Sequence, residues 1–243
     1  MCVPPARSLT RPGGEALVTA CSVSRDDRPR PQEPPISTTR HAAEGTLLDS
    51  IIPRPSDRAA AIGLDLALVG AGVVLMTIAS QISIPWHPVP LTGGTFGALL
   101  IGGLYGLRRA FLTLATYLAL GMVGLGLFAD WSGGWDYFTG STGGYLVGYL
   151  VAACIVGWFA DRGATQDVTR MIGVMVIANA TIYLLGASWL ANWTPPGASQ
   201  ELGWETAYDV GIQPFVPGDV VKLLFAACLL PGGWKVMRLL ERR

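Results

Sequence analysis

Charge is scarce in this chain, and its absence follows a pattern. Asp, Glu, Lys and Arg make up 14% of the 243 residues, whereas hydrophobic residues make up 51%. Residues 110–129, 139–160 and 171–190 hold no charge, and 62–84 hold only Asp65. Stretches of that length match the hydrocarbon thickness of a bilayer at the helical rise per residue. An excess of either sign is missing too. The 17 Lys and Arg balance the 17 Asp and Glu, so nothing indicates a nucleic-acid partner. Cysteines are few, at 2, 21, 154 and 228, and no spacing among them suggests a disulfide framework or a metal site. Enzyme signatures are also absent: there is no Gly-x-Ser-x-Gly, no His-Glu-x-x-His and no phosphate-binding Gly-Lys-Ser/Thr. His87 has no second ligand at a useful spacing and is read as non-catalytic. No catalytic residue, cofactor or metal is assigned. The sequence also lacks a nucleotide-binding domain, so any transport must draw energy from a gradient or from another protein.

What is present reads as an all-α integral membrane protein. Residues 1–57 hold nine of the 17 prolines and no long apolar run, which predicts a disordered N-terminal tail. Residues 58–243 form the membrane domain. Six transmembrane helices are predicted, at about 59–84, 91–107, 109–128, 142–160, 168–190 and 217–238. The second is short and runs through Arg108-Arg109 into the third, which predicts a tight hairpin. Arg54, Arg58, Arg108, Arg109, Arg162, Arg170, Lys235, Arg238, Arg242 and Arg243 all fall on one side of that arrangement. The opposite connections carry only acids: Asp130, Asp136, Glu201, Glu205 and Asp209. The positive-inside rule then places both termini in the cytoplasm. Trp86, Trp131, Trp135, Trp189, Trp193 and Trp204 fall near the outer ends, either as an aromatic belt or as the lining of an outward-facing pocket.

Lys222 stands out against this background. It lies in Phe215-Val-Pro-Gly-Asp219-Val-Val-Lys222, inside the start of the last apolar segment. A lysine in lipid costs roughly 2.5–3.5 kcal/mol on the lenient insertion scale, so it requires a partner. Asp219 is three residues earlier and shares its helix face. Two readings follow: a structural Asp–Lys pair that joins helices, or a polar ligand site just below the outer surface. Asp65, the other intramembrane charge, lies close enough to the inner end of its span to snorkel to the interface. Around it Ala59, Gly63, Ala67 and Ala71 recur every four residues, and such a small-residue stripe permits close approach of another helix.

Four motifs in order along residues 60–240 resemble the BioY family, the biotin-binding membrane subunits of energy-coupling-factor transporters. They are Val89-Pro-Leu-Thr92 before a Gly-rich short helix, Tyr117-Leu-Ala-Leu-Gly-Met-Val-Gly-Leu-Gly-Leu-Phe128, Gly140-Ser-Thr-Gly-Gly-Tyr145, and Phe215-x-Pro-Gly-Asp-x-x-Lys222. The resemblance implies a multi-pass subunit of the cytoplasmic membrane that captures biotin from outside. Its partners would be a transmembrane coupling subunit and ATPase subunits. It implies Asp219, Lys222, Thr92, Thr95, Tyr117, Gly143 and Tyr145 as substrate-binding residues. It also implies Ala59, Gly63 and Ala67 as the face that meets the coupling subunit. The chain departs from the family where Thr92-Gly93-Gly94-Thr95 replaces Thr-x-Gln-Thr, and where Ser141 and Gly126 replace prolines. Biotin, a related compound, and a non-transporting six-span scaffold remain the alternatives at this point.

Overall fold

The computed structural model describes residues 46–52 and 55–240. Those residues are almost wholly helical. Five helices are long and apolar enough to cross a membrane: α2 (Arg58–Gln81), α3 (Gly94–Met122), α5 (Gly143–Ala160), α6 (Val168–Ala191) and, within α8 (Val216–Leu240), the stretch Val216–Gly233. Short helices fill the connections: α1 (Leu47–Ile51), α4 (Trp135–Phe138) and α7 (Trp204–Gly211). Two-residue strands β1 (Ser83–Ile84) and β2 (Leu91–Thr92) pair antiparallel and close a loop after α2.

α3 is two arms that fold back on each other. Gly106 has φ +74° and ψ 175°, which no helix accommodates and which favours glycine. A straight helix would separate Gly97 from Tyr117 by about 30 Å. Instead both flank one turn of α2. A Cβ on Gly97 would touch Ala79, and the Ser80 and Tyr117 hydroxyls are 2.8 Å apart. Lower on α2, the Tyr105 hydroxyl donates to Leu68 O at 2.9 Å. The first arm therefore descends along α2 and the second climbs back. This is the hairpin predicted at Arg108-Arg109, turned two residues earlier. The first arm is only about 18 Å long, at 1.5 Å per residue over 94–105.

Several boundaries move from their predicted places. The stretch expected to continue a span to 128 leaves the helix after Met122, because Gly124 adopts φ +108° and the chain turns through Ala129–Trp131. Residues 1–45 of the expected disordered tail lie outside the described residues. Residues 46–52 are folded as α1, with Thr46 accepting from the Asp49 N–H at its N-cap and Leu47 buried. Arg109, expected at the water-facing turn, is only 6% exposed. Its Nη1 donates to Asp49 at 2.7 Å and its Nε to Asp65 at 2.8 Å.

The apolar core has two connected parts. One joins α2, α3 and α5 around Met76, Ile101, Leu114 and Tyr117. The other joins α5, α6 and α8 around Val156, Met175, Ile182 and Leu230. α2 is the peripheral member: Ile62, Leu66, Val74 and Ile78 all face outward.

Candidate functional site

The site is built where α8 begins. Asp219 lies in the first turn of α8, where a carboxylate is favoured by the helix dipole. It is 2% exposed, and a buried carboxylate needs donors. It has three. Its Oδ1 accepts from the Thr95 hydroxyl at 3.0 Å and the Lys222 ammonium at 2.9 Å, and its Oδ2 accepts from the Tyr183 hydroxyl at 2.8 Å. Lys222 also donates to the carbonyl of Thr92 at 2.7 Å. Its side chain keeps 29% of its surface accessible. One ion pair thus ties α8 to the start of α3, to β2 and to α6.

Thr92 connects this pair to a small cavity. Its hydroxyl is 3.4 Å from that of Tyr149. Both line a small space of about 20 Å³, together with Ser80, Tyr117, Tyr137 and Tyr145. That volume holds about one water molecule. Pro90, Tyr137 and Thr142 also line a vestibule of about 320 Å³, bordered by the Pro85–Pro90 loop and by Asp130, Asp136 and Trp193. Ser141 donates to Pro88 O, and Ser83 to Asp130, which fastens that loop to the segments beneath it. Burial raises the Tyr137 phenol above its ordinary value. A wider groove, about 570 Å³, runs between α5 and α6 and shares no lining residue with the Thr92 cavity. The ion pair and its cavity, with converging polar groups, are the better candidate.

The sequence-predicted residues fall into four groups. Asp219, Lys222, Thr92 and Thr95 meet directly. Tyr117 and Tyr145 line the adjoining cavity; Tyr145 donates to Gly211 O and Tyr117 is shared between Ser80 and Leu127 O. Gly143 serves packing: a Cβ there would strike Phe138 O and the Trp189 ring. Ala59, Gly63 and Ala67 are exposed along α2, and nothing lies within 4 Å of a Cβ at Gly63. Of the tryptophans, Trp86 and Trp193 line the vestibule, while Trp131, Trp135 and Trp204 stand exposed.

Tyr183 and Tyr149 were not legible as site residues. Each is an aromatic within an uncharged apolar run, where burial in a core is the ordinary fate. Only the approach of α6 and α5 to α8 and β2 gives their hydroxyls a role.

The BioY family model matches residues 56–239. A probable biotin transporter BioY of Pyrococcus horikoshii is 34% identical over 68% of this chain and 93% of its own length. A biotin transporter BioY of Thermotoga maritima is 33% identical over 67% of this chain and 92% of its own. The crystal structure of the S-component for biotin from an ECF-type ABC transporter superposes with a TM-score of 0.62. It covers 74% of this chain and 95% of that one at 22% identity, so the two share a fold. With its apolar helices, this chain is a multi-pass membrane protein, and it belongs to the BioY family.

Proposed function

We propose that the protein takes up biotin across the cytoplasmic membrane as the substrate-binding subunit of an ECF-type transporter. The observation that carries this is the Asp219–Lys222 pair, which Thr92 joins to a tyrosine-lined cavity adjoining a wider vestibule. Its hydrogen-bonding capacity is not used up. A carboxylate offers about four acceptor sites and an ammonium three donors. Asp219 receives three donors and Lys222 serves two acceptors. One acceptor site and one N–H remain. An amide-like edge with one N–H and one C=O, such as half of a ureido ring, matches that remainder. The tyrosine-rich walls suit an apolar bicycle. At about 20 Å³ the inner cavity is smaller than such a ligand, so the ligand occupies the adjoining space of about 320 Å³ or widens the cavity on binding.

In this reading the chain crosses six times, counting both arms of α3, and both termini are cytoplasmic. Ala59, Gly63 and Ala67 form the contact for a transmembrane coupling subunit, and separate ATPase subunits supply the energy. A second reading keeps the fold and changes the ligand to a biotin-related compound. It is favoured by Gly94, where a Cβ would meet the Tyr149 ring at 2.9 Å. The space for a larger residue there is taken by Tyr149, which alters the wall beside Thr92.

Thermal stability of purified protein with and without biotin tests both. Biotin at 100 times its Kd should add about 2.7 kcal/mol. No shift with biotin but a shift with desthiobiotin or lipoate would favour the second reading. No shift with any of them would remove both.

A further inference from the structure

The family match begins at residue 56, so α1 precedes it. α1 is nonetheless seated on the body. Thr46 is 2% and Leu47 6% exposed. A Cβ on Gly106 would touch Thr46, and one on Gly233 would touch Leu47 at 3.0 Å. α1 thus covers the turn of the α3 hairpin and reaches α8. Its Asp49 pairs with Arg109 at 2.7 Å, and the same guanidinium holds Asp65 of α2 at 2.8 Å.

We propose that α1 is an intramolecular clasp that sets the position of α2 through Arg109. The physical basis is the shared guanidinium. Arg109 lies in the first turns of the second arm, where the helix dipole disfavours a cation. Two carboxylates offset that, one from α1 and one from α2. The planar fork presents Nε and Nη1 in fixed directions, so placing one carboxylate places the other. The inner half of α2 has few buried side chains to hold it otherwise: Arg58 to Ala71 are exposed or half-buried throughout. Asp65–Arg109 and the Tyr105–Leu68 bond fasten it. Docking of α1 and the pose of α2 are therefore coupled, and coupling of this kind is reciprocal. A partner that shifts α2 along its exposed Ala59–Gly63–Ala67 face loosens α1, and release of α1 loosens α2. Arg109 is a positioning residue here, and α1 is its regulator. The inference extends the proposed α2 docking face. Its test uses no ligand and no partner, so its failure is separable from failure of that reading.

The experiment is hydrogen exchange on the full chain in detergent, comparing wild type with Asp49→Ala and Asp49→Glu. Asp49→Ala should speed exchange in peptides covering 47–51 and also 58–68 by at least threefold, with 143–160 unchanged. Asp49→Glu should restore protection. Faster exchange confined to 47–51 would overturn the coupling, as would no change anywhere. Should Asp49→Ala fold poorly, Leu47→Ala weakens the seating of α1 without touching the ions, and the same α2 peptides must respond.

Discussion

Two cations among the described residues, Lys222 and Arg109, are each paired with carboxylates inside the helical body, and the two sites handle them differently. At the start of α8 Lys222 keeps 29% of its side chain accessible, and Asp219 beside it is 2% exposed. Past the turn of α3 Arg109 is sealed at 7%, between Asp49 and Asp65. Lysine is a point charge with freely directed donors, so it can exchange a partner for a ligand. Arginine is a rigid fork that fixes two carboxylates at once. The contrast is one of geometry: Lys222 bonds the backbone of Thr92, which lines a cavity, whereas Arg109 is held between carboxylates from two helices.

Substitutions can break or sharpen that contrast. The largest effect is expected for Lys222→Ala, which should weaken biotin binding about 100-fold, as loss of a charged hydrogen bond predicts. Isothermal titration measures it, and wild-type affinity would count against the assigned site. Arg109→Gln should do the reverse, lowering stability by about 2 kcal/mol through loss of its two charged hydrogen bonds while leaving Kd unchanged. Denaturation and titration on the same preparation separate the two. Tyr183→Phe removes one of the three donors on Asp219 and should cost about tenfold in affinity, with a modest fall in melting temperature because the buried carboxylate loses a donor.

The smallest effect concerns Asp161, just past α5. Burial raises its carboxyl pKa, Asp49 adds to the rise, and the Leu107 N–H and nearby Arg162 oppose it. A raised acid favours folding most below the ordinary Asp range and loses that contribution as pH climbs through its folded value. Asp161→Asn should therefore be slightly more stable than wild type near pH 7, with the gap closing below about pH 4. A melting series across pH tests this. Because Asp161 is exposed, solvent screening keeps the difference small.

Much of the fold was legible because membrane crossing is written in one dimension. Long apolar runs set α2, α5, α6 and α8 to within a few residues. Arg108-Arg109 marked the reversal, although Gly106 makes it. The core of the site was legible for a related reason: a lysine in an apolar run must be explained, and Asp219 is on the same helix face. What was not legible lacked such a cost. Tyr183 and Tyr149 are unremarkable in apolar helices until a carboxylate and a threonine from other segments reach them. α1 is too short, and its surroundings too polar, to announce itself. Its helix is held by Arg109, sixty residues away along the chain.

Sequence alone determined the membrane character, the approximate spans, the family motifs and the Asp219–Lys222 pair, because each follows from local composition or from a spacing within one helix. Tertiary structure decided which groups surround that pair, how small the cavity is, that Arg109 is buried, and that α1 belongs to the body. Those depend on contacts between segments far apart in sequence, where hydrogen-bond geometry and close packing act across helices and no local pattern records them.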